Sequence, residues 1–186
     1  MKGGRRPAAQ PRQMFRTSKE SDREQTGSQH DKVMASAFRI LSARSCSESE
    51  LRERLINRQG YNRDAVESCI NKLKELDYVN DDRFAQSYAS YRVGLRPLGR
   101  AKLKRELALK KIPAKTIEAA LDVVFGEAAE DALIDKAIQR RIRTHGRPAD
   151  RAAAKRMFDH LARRGFEFDL IIRKLRALQA GIDDSN

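Results

Sequence analysis

Tryptophan is absent from this 186-residue chain, cysteine occurs twice, and valine and threonine together number 10 against 40 for alanine and leucine. So few β-branched residues exclude an all-β fold and favour helix. No run of purely apolar residues exceeds three, so the sequence offers neither a membrane-spanning helix nor the apolar centre of a secretory signal. A cytoplasmic protein without membrane attachment is expected. Cys46 and Cys69 lack the spacing of a ligand pair and read as free thiols. His30, His145 and His160 have no thiol or carboxylate at a metal-binding spacing, so neither metal nor cofactor is expected. The stretch Gly94 to Ala101 imitates a phosphate loop, yet Arg100 and Ala101 replace its lysine and hydroxyl. Asp81 and Asp82 follow Asn80 at a helix start, where capping explains them. Nothing here makes an enzyme.

Base is abundant: 39 Lys and Arg against 26 Asp and Glu give a net charge of +13, which calls for an acidic partner such as nucleic acid or a nucleoprotein. The charge comes in blocks. Residues 96–115 carry +7, 116–135 carry −6, and 136–176 carry +9.

From Val33 onward the apolar residues follow helical spacing in a pattern that recurs near every 50 residues. Met34, Phe38 and Leu41 reappear as Phe84, Tyr88 and Tyr91, then as Ile134, Ile138 and Arg141 with Ile142 beside it. A hairpin of Leu103, Leu107, Ile112, Ile117, Leu121 and Val124 maps onto Met157, Leu161, Phe166, Ile171, Leu175 and Leu178. The earlier copy, Leu51, Leu55, Tyr61, Val66, Ile70 and Leu73, holds one extra residue between Leu55 and Tyr61. The expected fold is therefore all-α: three tandem three-helix repeats (31–79, 80–126, 127–180) forming an elongated, curved body, with a disordered basic tail at 1–30 and a short C-terminal tail at 181–186. Ser47 and Glu50 make a capping box, and Pro97 and Pro148 suit first helical turns. Gly60, Lys111 and Gly165 hold equivalent places at the ends of the middle helices, where a left-handed residue stops the helix. At Lys111 that conformation is strained: either Pro113 enforces another turn that avoids it, or the strain is kept because the ammonium group joins Arg100 and Lys104 in binding.

Arg100, Lys104 and Lys111 fall within about 40° on a helical wheel, and Lys136, Arg140 and Arg143 share a face opposite the apolar stripe of their helix. With Lys110, Arg163 and Arg164 they are the candidate contacts to a partner or to DNA. The aromatic residues Phe84, Tyr88, Tyr91, Phe158 and Phe166 read as core rather than as base-stacking rings.

The segments Ala37–Arg44 and Ser47–Leu55 resemble the opening of RecX proteins. Asp77–Ala85, then Gly99, Leu103, Glu106, Leu107, Lys110, Ile112 and Ile117–Leu121, resemble the family's central signature, and Met157 through Phe166 to Ile172 its last hairpin. The resemblance covers about Val33 to Leu178. It departs at Asp77 and Lys111, where the family usually has glycine. It implies a monomeric, non-catalytic regulator of the recombinase RecA that binds RecA filaments on single-stranded DNA in their helical groove. Such a regulator inhibits ATP hydrolysis, strand exchange and cleavage of the SOS repressor, and binds bare single-stranded DNA only weakly. The rival reading is a basic helical module, a transcription or chromatin factor, that binds DNA by itself.

Overall fold

The structure, a computed structural model, describes residues 18–126 and 129–183, with side-chain surroundings for 29–126 and 129–179. Among these residues there is no strand. The helices are α1 Ser18–Ala43, α2 Glu48–Glu53, α3 Arg63–Glu75, α4 Asp81–Leu95, α5 Arg100–Leu109, α6 Ala114–Val124, α7 Ala129–His145, α8 Arg151–Arg163 and α9 Phe168–Asp183. They form the expected three-helix units in tandem, and every hydrogen bond between units among the described residues joins successive ones.

The first helix begins at Ser18 rather than after residue 30. Once Val33 and Ala37 anchor a helix, adding polar residues to its start needs no new nucleus, so residues too polar to fold alone extend it. The rest of the expected tail, 1–17, lies outside the described residues, as do 184–186.

Side-chain caps fix the starts of α2, α3, α4 and α8. The Ser47 side chain accepts from the Glu50 N–H at 3.2 Å, Asn80 from Arg83 at 3.0 Å and Asp150 from Ala153 at 2.6 Å. The capping box is half made, because the Glu50 carboxylate turns to Arg44 and Arg54 instead. Pro97 and Pro148 stand in the loops before α5 and α8, not in their first turns; Gly99 and Asp150 take the cap positions.

The extra residue of the first hairpin is a π-helical turn, Arg54–Arg58, that prolongs α2. The Tyr61 N–H reaches back to the Leu55 carbonyl (3.2 Å), as Ile112 does to Leu107 (3.4 Å) and Phe166 to Leu161 (3.4 Å). One more residue within the same bond makes the turn wider. At all three helix stops φ is positive: +70° at Gly60, +57° at Lys111 and +84° at Gly165. Pro113 therefore does not spare Lys111 the left-handed conformation. Asp77, closing α3, adopts it too, at +56°.

Two cores form. One lies within repeat 1, from Val33 and Ala37 through Leu51, Leu55, Ile70 and Leu73 to Val79. The other runs through repeats 2 and 3 without a break, from Ala85 to Leu175. On α4 the fully buried residues are Ala85 and Ala89, with Phe84 and Tyr88 half-buried beside them. Tyr91, expected in the core, is 66% exposed. Small side chains on this face let α4 approach α6 closely, which turns the larger stripe to the rim.

Candidate functional site

The repeats are joined end to end through their middle helices. At the first joint the Ser47 hydroxyl, at the start of α2, donates to the Lys110 carbonyl at the end of α5 (2.9 Å), and the Glu48 N–H donates to Asp81 Oδ1 (2.8 Å). At the second the Gly99 N–H donates to the Arg164 carbonyl (2.9 Å), the Ala101 N–H to the Gly165 carbonyl (3.2 Å), and the Arg100 N–H to Glu130 Oε1 (3.3 Å). Each helix N-terminus thus satisfies the carbonyls that end the next repeat's middle helix, and an acid from the next repeat's first helix completes it. Burial raises Asp81 and Glu130 above the ordinary carboxylate range, although each accepts a backbone N–H.

The second joint builds a cleft of about 590 Å³ lined by Arg92, Leu95, Arg96, Leu98, Lys102, His160, Arg163 and Arg164. The residue before Pro97 must be extended, so α4 stops and Arg96 (φ −148°, ψ 132°) turns outward. Arg164 is anchored by its backbone to Gly99, by its guanidinium NH1 to the Pro97 carbonyl at 2.9 Å, and by Nε to His160 Nε2 at 3.1 Å. His160 therefore presents its acceptor nitrogen, and the ring is neutral. Burial holds the His160 pKa below the ordinary histidine value, with the nearby charges of Arg164, Arg141 and Arg163 acting in the same direction. Burial, with Arg96 and Arg140 nearby, also lowers Arg164. Among the described residues no carboxylate pairs with Arg96, Lys102, Arg163 or Arg164, whereas Arg92 is clamped by Glu106 (2.7 and 2.8 Å), which also takes the Tyr88 hydroxyl (3.2 Å). A half-buried, unpaired guanidinium among other cations has lost water without gaining a counter-ion, and an arriving anion relieves that.

The nine candidate contacts divide in two. Arg100 bonds Glu118 and Asp122 (both 2.7 Å) and Lys104 bonds Glu118 (2.5 Å), so the acidic block of α6 neutralises the basic face of α5. Lys110 lies 3.6 Å from Glu50 and covers the rings of Phe84 and Tyr88, and Lys111 lies 3.4 Å from Glu53. By contrast Arg163 and Arg164 line the cleft, and Arg140, which donates to the Leu95 carbonyl at 3.4 Å, stands at its edge on α7. Lys136 and Arg143 are exposed on the same helix face, with no carboxylate partner among the described residues. Arg96 and Lys102 escaped the sequence reading. They lie more than 60 positions from Arg163 and meet it only through the joint, so only the repeat register of Gly99 against Gly165 could have pointed to them.

Residues 80–121 match the model of the second three-helix domain of RecX, and 129–175 that of the third. A Regulatory protein RecX of Syntrophotalea carbinolica is 34% identical over 134 residues, which cover 71% of this chain and 86% of that protein. The chain belongs to the RecX family. A RecX of Treponema pallidum is 34% identical over 124 residues, covering 66% of this chain and 75% of that one. The crystal structure of RecX from Lactobacillus salivarius superposes with a TM-score of 0.73 at 21% identity, covering 83% of this chain and 99% of that one, which shows the shared fold. The three-helix units between which the cleft lies are thus the second and third domains of a RecX fold.

Proposed function

We propose that this RecX protein is a non-catalytic regulator that binds RecA and its filaments on single-stranded DNA and inhibits their ATPase, strand-exchange and co-protease activities. The observation that carries the reading is the segregation of charge: the α5 face of Arg100 and Lys104 is cancelled by the acids of α6, but base gathers unpaired on α7 and around the cleft. A cationic track set in a tandem fold suits the groove of an acidic nucleoprotein. Family membership supplies the partner; the charge supplies the surface. Acting as a monomer in the cytoplasm follows from the same reading. The test is RecA ATP hydrolysis on single-stranded DNA with the protein added: a dose-dependent fall is expected, and an unchanged rate at saturation refutes the proposal. The rival module that binds DNA by itself requires equal affinity for bare single-stranded DNA and for the filament on that DNA.

A further inference from the structure

We infer that the cleft between repeats 2 and 3 binds backbone phosphates of single-stranded nucleic acid, and that His160 is a proton-linked gate on that binding. The inference deepens the proposed function and rests on it only for the source of the strand.

Four guanidinium groups and one ammonium line the cleft, on α4, on α5 and on α8. Arg92 is occupied by Glu106, and Arg164 by His160 and the Pro97 carbonyl, while Arg96, Lys102 and Arg163 remain for a ligand. A single carboxylate could answer one of these charges; a chain of phosphates answers them in series, and the guanidinium fork matches phosphate oxygens two at a time. The track continues past Arg140 to Lys136 and Arg143 on α7, as a strand requires. Tyr91 lies one turn before Leu95 on the same face of α4 and is 66% exposed, a ring against which a base can stack beside the phosphate site. An acidic peptide would have no use for that ring.

His160 sets the pH response. In the free protein its Nε2 accepts from Arg164 Nε, so both groups are spent on each other. Protonation makes Nε2 a donor, breaks that bond, and offers two N–H groups to one phosphate. The groups around His160 are Arg163 and Arg164 on α8, Arg141 and His145 on α7, Arg92 and Arg96 at the end of α4, and Lys102 on α5. Two acids stand by this set: Glu106, which is held by Arg92, and Asp159, next to His160 on α8. The charges that hold His160 neutral are those of Arg164, Arg141 and Arg163, so an anion in the cleft removes the opposition to protonation. Binding then takes up a proton, and affinity rises as pH falls.

The experiment is fluorescence anisotropy of labelled oligothymidylate with the full protein at pH 8 and pH 6, over a range of salt. Binding at least threefold tighter at pH 6 is expected, with Arg96→Glu plus Arg163→Glu weakening it tenfold or more and flattening the log affinity versus log salt slope by about 0.7 per contact. His160→Gln, which keeps an acceptor for Arg164, should bind with the same affinity at pH 8 and pH 6, whereas His145→Gln keeps the tightening. Helical circular dichroism confirms that each variant is folded. An oligothymidylate affinity untouched by the double reversal, or displacement by polyglutamate in preference to oligothymidylate, overturns the phosphate assignment. A tightening that survives His160→Gln overturns the gate. Neither result touches the RecA reading, which the ATPase assay decides.

Discussion

Gly99 and Gly165 meet backbone to backbone: a Cβ on Gly99 would lie 2.2 Å from the Gly165 carbonyl oxygen, and one on Gly165 would lie 2.3 Å from the Lys102 nitrogen. Neither neighbour is a flexible side-chain tip that could move aside. Gly99→Ala should therefore force the joint between repeats 2 and 3 apart at a cost of about 2–3 kcal/mol. Because Arg164 and Lys102 are placed by this contact, oligothymidylate affinity should fall with it. A thermal melt checks the first effect; an alanine variant as stable as the parent would show that the helices do not pack this closely.

Lys111 pays the steric cost of a left-handed residue at φ +57°. Its ion pair with Glu53, at 3.4 Å between exposed side chains, returns a few tenths of a kcal/mol. Lys111→Gly should thus stabilise the protein by roughly 0.5–1 kcal/mol, about 1–4 °C in melting temperature for a chain of this size. A lower melting temperature would contradict it. Since the ammonium group reaches Glu53 rather than Arg100 and Lys104, filament affinity should change little.

Charge removal ought to separate the two groups of basic residues. Arg100→Gln with Lys104→Gln leaves Glu118 and Asp122 unpaired and should lower the melting temperature only slightly while leaving the salt dependence of binding intact. Arg140→Gln with Arg143→Gln should do the opposite. If the α5 pair flattens the salt slope and the α7 pair does not, the partition described above is wrong.

The π-helical turn invites a deletion. Removing the exposed Asn57 leaves five positions from Leu55 to Tyr61, the spacing found from Leu107 to Ile112 and from Leu161 to Phe166. The turn should become an ordinary α-helical stop, with stability within about 1 kcal/mol of the parent. Deleting Ser68, equally exposed but in the middle of α3, instead rotates the following stripe of Cys69, Ile70 and Leu73 by about 100° and should abolish folding of repeat 1. Circular dichroism and melting distinguish the two; an unfolded Asn57 deletion would show that the extra residue is required.

Helices, caps and stops were legible because each depends on neighbours in sequence: Ser47 on Glu50, Asn80 on Arg83, Ile112 on Leu107. The extra residue of the first hairpin was legible as arithmetic before it was visible as a π turn. What could not be read depends on which helix faces which. Large residues dominate a periodicity, so Phe84, Tyr88 and Tyr91 marked the stripe of α4, while Ala85 and Ala89 take the buried side because α6 packs close against them. The same holds for charge. A helical wheel shows that Arg100 and Lys104 share a face but not that Glu118 stands across from it, and it cannot bring Arg96 to Arg164.

The two cores have a consequence for cooperativity. Repeat 1 touches its neighbour through polar bonds at Ser47, Glu48 and Lys110, whereas repeats 2 and 3 share one continuous apolar interior. Amide hydrogens of α3 should therefore exchange through an opening of repeat 1 alone, while those of α6 and α8 exchange together at a higher free energy. The protein should then melt as two units of unequal size, the larger keeping the cleft while the smaller is open.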